Sequence, residues 1–104
     1  MRFLRLPSFL RDWRALSHTE QELVRQWLRS DFLPVVAAYE VDPDNFRWPK
    51  SLRFEHITGG GGICAVTWSF SGSDGRATFE FDTLDGQMVL VWRRIGHHDV
   101  YRQP

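Results

Sequence analysis

The residues whose chemistry stands out lie at the end of the sequence, in the stretch WRRIGHHDVYRQP. Two arginines precede a glycine there, and two histidines and a tyrosine follow it. Arginine presents a planar fork of N–H donors that suits phosphate oxygens, and histidine is the side chain that titrates near neutral pH. Cations beside a titrating group favour the cleavage of a phosphodiester.

Cleavage of RNA fits this combination because it needs neither a protein nucleophile nor a metal ion. The ribose 2′-OH attacks the neighbouring phosphorus, a base removes its proton, and an acid protonates the departing 5′ oxygen. Cations stabilise the charge of the transition state. The sequence supplies the cations and one titrating group, His98, whereas a second titrating group is not evident. A lone histidine is more often structural, so His98 is a hypothesis.

Composition narrows the class of protein. The 104 residues predict a single domain, 1–104, and the formal net charge is zero, so any attraction to nucleic acid must be local. Cys64 is the only cysteine, which excludes a multi-cysteine zinc site and favours a core residue over a nucleophile. We expect no metal and no cofactor. No apolar run is long enough to span a membrane, and we expect a cytoplasmic protein.

The elements predict an α+β fold. RFLRL favours a short strand that ends at Pro7, and helical spacing follows from Phe9 to Leu16. A capping box, either Ser17 with Glu20 or Thr19 with Glu22, would begin a second helix, and VVAAYEV after Pro34 predicts a third helical piece. We predict an N-terminal helical hairpin packed on a curved, mainly antiparallel sheet of four to five strands.

The second half of the sequence alternates between apolar and polar residues, as strands do. The predicted strands are LRFEHI, ICAVTWSF, RATFEF and MVLVWRRIGHH, joined by turn-rich TGGGGG, SGSDG and DTLDGQ. One face would pack against the helices. The other face would carry Arg53, Glu55, Thr67, Ser69, Arg76, Thr78, Glu80, Trp92, Arg94 and His98.

On this second face most polar side chains need no function. For Arg53, Glu55, Thr78 and Glu80 we favour solvent exposure with cross-strand ion pairs. Trp92 beside arginines would suit stacking on an unpaired base, although the N-terminal helices could equally cover it. A β-bulge near Gly96 would exchange the two faces.

The order of elements and the last motif resemble the RelE/ParE superfamily of bacterial type II toxins, specifically the RelE-type mRNA interferases. That family has a strand, a helical hairpin and a meander of strands, and its terminal motif runs Gly-x-His, a polar stretch and Tyr or Phe. RRIGHHDVYR supplies Gly96, His98, Asp99 and Tyr101 at that spacing. GRATFEF resembles the strand that carries the family's phosphate-binding arginine, which would be Arg76.

The resemblance implies a role for each of these residues. His98 would be the general acid or base, Arg76 and Arg94 would stabilise the phosphate, and Tyr101 would position or stack on the nucleotide. Lys50 and Arg53, the nearest matches to the family's substrate-binding lysines, would bind substrate. Trp92, Arg93 and His97 complete the expected substrate-binding set.

The resemblance also implies a function: a toxin that cuts mRNA, often on the ribosome, and is held inactive by a cognate antitoxin. Two alternatives stay open, a ParE-like toxin that inhibits gyrase by binding and a catalytically inactive antitoxin-binding domain. The Gly96, His98 and Tyr101 motif favours the enzyme. The middle strand carries only Lys50 and Arg53, fewer cations than is usual in the family, and the net charge is zero.

Overall fold

A computed structural model of the chain describes residues 1–70 and 72–104, apart from the side chains of His98 and Tyr101. It confirms an α+β architecture with a five-stranded mixed sheet. The strands and α-helices in chain order are Arg2–Arg5 (β1), Pro7–Ala15 (α1), His18–Trp27 (α2), Leu33–Val41 (α3), Glu55–His56 (β2), Cys64–Phe70 (β3), Ser73–Leu84 (β4) and Gln87–Gly96 (β5).

Local signals set the helix boundaries. Pro7 occupies the first turn of α1, where its fixed φ suits the helix and its missing N–H costs nothing. Ser17 caps α2: its hydroxyl accepts from the Glu20 amide at 3.1 Å, and the Glu20 carboxylate accepts from the Ser17 amide at 2.8 Å. Of the two predicted capping boxes, the one that begins at Ser17 is therefore formed.

The third predicted helical piece is confirmed as α3. A π-helical turn, Leu28–Phe32, follows α2 directly, and Pro34 lies in the first turn of α3. The connection to the sheet contains two short 3-10 turns, Pro43–Asn45 and Lys50–Leu52.

The sheet has the strand order β1-β5-β4-β3-β2, in which β1 runs parallel to β5 and the other neighbours are antiparallel. Asp85 and Gly86, with φ of 53° and 76°, form the two-residue turn between β4 and β5. The predicted strand LRFEHI is too long. Residues before Arg53 form a 3-10 turn, Arg53 has a left-handed φ of 47°, and only Glu55–His56 pair with β3.

An aromatic core joins the helices to one face of the sheet. The buried Phe32 ring, from the π-helical turn, lies 5.1 Å from the ring of Trp27, 5.6 Å from Phe79 and 5.2 Å from Trp92. Phe9 of α1 packs on Trp92 at 5.7 Å. Such aromatic contacts stabilise the association of helices and sheet beyond the area they bury.

A β-bulge in β5 exchanges the two faces and corrects the expectation for Trp92. Thr78 pairs with Arg94, but the next residue, Phe79, pairs with Trp92, so Arg93 is the extra residue. Trp92 is only 7% exposed and belongs to the helix-side core together with Leu90. The prediction that Trp92 stands on the open face, ready to stack on a base, was wrong, and the alternative that the N-terminal helices cover it is confirmed.

The second face of the sheet, opposite the helices, is also less exposed to solvent than predicted. Thr67 and Thr78 are buried, as are Val89 and Val91. The chain after β5 accounts for part of this cover, because the Thr78 hydroxyl donates to the main-chain oxygen of Pro104 at 3.0 Å. The central strands are therefore covered on both sides.

None of the helices among the described residues is both long and apolar enough to cross a membrane.

Candidate active site

The end of β5 is held by α1. Strand β1 pairs with β5 only as far as Trp92, and α1 then takes its place along the strand. The Ser8 hydroxyl donates to the carbonyl of Arg93 at 2.7 Å, and the Ile95 amide donates to the Asp12 carboxylate at 3.1 Å. Ser8 and Asp12 are one helical turn apart and so face the same way. Together they satisfy main-chain groups that an uncovered edge would leave to water.

Asp12 also binds the predicted phosphate-stabilising Arg94. The guanidinium donates from Nε to Oδ2 at 2.6 Å and from Nη2 to Oδ1 at 3.2 Å, while Nη1 donates to the carbonyl of Gln103 at 2.9 Å. These hydrogen bonds to Asp12 raise the pKa of Arg94 above its ordinary value. Each of the three nitrogens thus donates one hydrogen bond inside the chain, which uses three of the five N–H groups of the guanidinium.

His97, three residues after Arg94, forms a pair with Glu20 at the start of α2. Its Nε2 lies 2.9 Å from Oε2 of Glu20, and the imidazole is 48% exposed. The amide of Ser17 binds the same carboxylate and is the main cause that lowers the pKa of Glu20; the hydrogen bond from His97 acts in the same direction. An imidazole oriented by a carboxylate is a common arrangement for proton transfer.

A cleft of about 180 Å³ lies between these two pairs. Leu16 and Ile95 supply apolar walls, and Glu20, Arg94, His97 and Asp99 are among the polar lining residues. The cleft thus lies between the C-terminal motif and the N-terminal helices.

Arg76 lies at the same end of the sheet. Its Cα partner across the strands is Gly96, which places Arg76 beside the start of the C-terminal motif. The guanidinium is mostly buried and its Nη1 lies 4.0 Å from Oε1 of Glu55. GRATFEF and the first four residues of RRIGHHDVYR, the two segments on which the resemblance depends, therefore lie on neighbouring strands in register.

Glu55 and Glu80 on the second face form ion pairs with arginines, but their partners are Arg76 and Arg93 and not, as was predicted, Arg53. Glu80 lies 3.4 Å from Nη1 of Arg93, and Arg93 also donates from Nε to the main-chain oxygen of Pro104 at 3.1 Å. Arg93, predicted to bind substrate, is thus engaged with the sheet and the chain end.

The other predicted substrate-binding cations do not line the cleft. Lys50 is exposed in the turn before β2, at the opposite edge of the sheet from β1. Arg53 is exposed and pairs with Asp74 of β4 at 3.1 Å. The side chains of His98 and Tyr101 lie outside the described residues, and their roles stay predictions. Their backbone belongs to the 3-10 turn His98–Arg102, which His97 separates from the end of β5.

Sequence reasoning missed Asp12 and did not recognise Glu20 as a partner of the motif. Glu20 was identified only as a capping residue, and Asp12 carried no local signal. Their contacts with His97 and Arg94 span 77 and 82 residues of the chain. The fold alone brings them together.

Cys64 is the core residue that the sequence favoured. Burial raises the pKa of its thiol to about 11, so at neutral pH it is protonated and a poor nucleophile.

Comparison with known proteins gave no match: no family model, curated protein or solved structure is similar to this chain at a significant level. The resemblance to the RelE/ParE superfamily therefore depends on the quoted motifs and on the order of elements.

Proposed function

We propose that the chain is a metal-independent endoribonuclease, a toxin of RelE type that cleaves mRNA and is neutralised by a cognate antitoxin. One observation carries the proposal: the register that pairs Arg76 with Gly96. This register places Arg76 of GRATFEF beside Gly96 of RRIGHHDVYR, the residue that precedes the two histidines. Function depends on such a site and not on the fold class.

In the proposed reaction the ribose 2′-OH forms a bond to the adjacent phosphorus and the bond from phosphorus to the 5′ oxygen breaks. A base takes the proton of the 2′-OH, and an acid gives a proton to the leaving 5′ oxygen. The products are a 2′,3′-cyclic phosphate and a 5′-OH. The C-terminal His98 supplies one of these proton transfers, and His97, which pairs with Glu20, supplies the other.

The arginines have different roles in this proposal. Arg76 stabilises the charge that develops on the phosphate oxygens. Arg94 is held by Asp12 and so positions the end of β5, with its charge already compensated. Tyr101 positions or stacks on the nucleotide. The proposal includes cleavage of the mRNA on the ribosome.

One observation favours a second candidate, a toxin that only binds its target. Three N–H donors of Arg94 bind Asp12 and Gln103 inside the chain, and Arg93 contacts Glu80 and Pro104. Two of the expected substrate cations are thus paired internally. A gyrase-inhibiting or antitoxin-binding protein would need no free guanidinium at this site.

Inducible expression without an antitoxin tests the function. We expect growth arrest with degraded mRNA, and we expect Arg76→Ala and His98→Ala to relieve it at equal protein level. Arg47→Ala, an exposed arginine outside the cleft, is the control and should arrest growth as the wild type does. Arrest of replication with intact mRNA would instead favour the binding toxin.

A further inference from the structure

We propose that three side chains of β4 and β5, Thr78, Arg93 and Arg94, form a binding site for a backbone phosphate of RNA, and that two residues of the chain itself occupy this site as a releasable strap. The Thr78 hydroxyl and Nε of Arg93 both donate to the main-chain oxygen of Pro104, at 3.0 and 3.1 Å. Nη1 of Arg94 donates to the carbonyl of the preceding residue, Gln103, at 2.9 Å. Three side-chain donors thus converge on two consecutive residues, Gln103 and Pro104, which we call the strap.

The β-bulge at Arg93 brings the two arginines to one ligand. Consecutive residues of a regular strand point to opposite faces of the sheet, so adjacent arginines would not share a partner. Because Arg93 is the extra residue opposite Thr78 and Phe79, its guanidinium and that of Arg94 both reach the strap. Bulges are common beside active sites, where they change the direction of a side chain.

The three donors suit a phosphate group. A phosphate presents several oxygens and a negative charge, and its hydrogen bonds with guanidinium groups are of the strong, charge-assisted kind. The carbonyl of Gln103, in contrast, carries no charge. Glu80 lies 3.4 Å from Nη1 of Arg93, a different nitrogen from the Nε that contacts the strap. The main-chain oxygens of the strap therefore stand where the oxygens of a phosphate would lie.

The site lies beside the proposed catalytic arginine. Arg76 and Thr78 are two residues apart on β4, so their side chains point to the same face, about 6.6 Å apart along the strand. Thr78 pairs with Arg94 as Arg76 pairs with Gly96. An RNA strand whose scissile phosphate lies at Arg76 would place a neighbouring phosphate at the site. The inference rests on the proposed function in this respect.

The strap has few contacts that would resist its release. Gln103 is exposed, and its carbonyl accepts the hydrogen bond from Arg94. The segment is anchored by Val100, which is 3% exposed and packs against Gly96. Segments with few buried contacts open locally at a small cost in free energy. A strap that is mostly closed reduces the apparent affinity for RNA in proportion to the fraction of molecules in which the site is open.

Val100→Ser in the full chain tests the strap, because it removes the buried anchor and changes none of the three donors. The probe is a 2′-O-methyl RNA oligonucleotide, which cannot be cleaved by attack of its own 2′-OH, and binding is measured by fluorescence anisotropy. We expect the dissociation constant to fall at least about fivefold, as for a site that is open in less than about a fifth of the wild-type molecules. The plot of log affinity against log salt concentration should steepen by about 0.7, the value for one further phosphate contact on a single strand.

Val41→Ser is the matched control, because Val41 is 85% exposed in α3, and its dissociation constant should stay within about twofold of the wild type. In the Val100→Ser background Arg93→Gln should cancel the gain in affinity. Arg29→Gln, which changes an exposed arginine of the π-helical turn, should keep most of it. Urea midpoints establish that each variant is folded; should Val100→Ser not fold, Val100→Ala takes its place.

A nitroxide label on Gln103→Cys reports the position of the strap by electron paramagnetic resonance. Cys64 is 2% exposed, so the label attaches to the introduced thiol. We expect a small mobile fraction in the free protein, and the reciprocal of that fraction should equal the gain in affinity of Val100→Ser. Addition of the oligonucleotide should make most of the label mobile.

Each of three results would overturn the strap. Val100→Ser could mobilise the label and leave the affinity for RNA unchanged. Arg29→Gln could cancel the gain as fully as Arg93→Gln. Inorganic phosphate could mobilise the label at a lower concentration than the oligonucleotide does, and the site would then serve a free anion.

Cleavage of unmodified RNA, measured separately, distinguishes this inference from the proposed function. A wild-type protein that cleaves RNA but gives one of these three results keeps the ribonuclease and loses the strap. Tighter binding by Val100→Ser without any cleavage would contradict the ribonuclease alone. A protein that binds no RNA in either form would contradict both.

Discussion

Two concave surfaces of the molecule differ in the contacts of their side chains: the cleft at the end of β5, and a groove of about 350 Å³ beside β1 that is lined in part by Phe3, Leu10 and Leu33. In the cleft Arg94 pairs with Asp12 and His97 with Glu20. In the groove Phe3, Leu10 and Leu33 remain exposed. Internal partners hold the side chains of the cleft in place, which suits the chemistry proposed there. Exposed apolar surface, in contrast, is stabilised when a partner covers it.

Leucine truncation should give the largest contrast between the two regions. Leu16→Ala removes a buried side chain from the wall of the cleft, and we expect it to lower the free energy of unfolding by about 3 kcal/mol. Leu33→Ala removes an exposed side chain from the groove and should change it by less than about 0.5 kcal/mol. Urea unfolding measures both. Equal losses would mean that the groove is part of the core.

Removal of the Asp12 carboxylate should have the next largest effect. Asp12→Ala breaks its hydrogen bonds to Arg94 and Ile95 and leaves a partly buried guanidinium without its carboxylate. We expect a loss of about 2 kcal/mol. Asp74→Ala breaks the exposed pair with Arg53 and should cost less than about 0.5 kcal/mol. If the two variants unfold at the same urea concentration, Asp12 does not hold the end of β5.

The smallest effect should be the pH dependence that Glu20 contributes. Because its pKa is lowered on folding, its stabilisation is present above the unfolded-state pKa and is lost as the pH falls through the lowered folded-state value. Glu20→Gln should remove this part of the acid destabilisation, about 0.5 kcal/mol at most for a carboxylate that is partly exposed to solvent. Urea unfolding between neutral and acidic pH measures it, with Glu22→Gln as the matched control. If Glu20→Gln leaves the loss of stability at acidic pH unchanged, the capping role of Glu20 is contradicted.

The order of elements could be predicted because its signals are local. The Ser17 capping box, Pro7 and Pro34 near helix starts and the Asp85–Gly86 turn act over a few residues, and each lies where the sequence placed a boundary. The short β2 is the exception. Arg53 adopts a left-handed conformation that alternation cannot reveal.

The faces of β5 could not be predicted by alternation alone. The bulge at Arg93 shifts the period by one residue, which moves Trp92 into the core. One signal was present: MVLVW is a continuous apolar run, typical of a strand buried on both faces. The pairing of His97 and Arg94 with carboxylates of the helices left no comparable signal, since those contacts are long-range.

The most direct test of the proposed ribonuclease site is cleavage of RNA by the purified protein in the presence of EDTA, with and without translating ribosomes. We predict cut RNA whose fragments carry 2′,3′-cyclic phosphate and 5′-OH ends by mass spectrometry. We further expect Arg76→Ala to lower the rate about a hundredfold or more while the fold persists. RNA that stays intact in both assays, or that Arg76→Ala cuts at the wild-type rate, would contradict the proposed site.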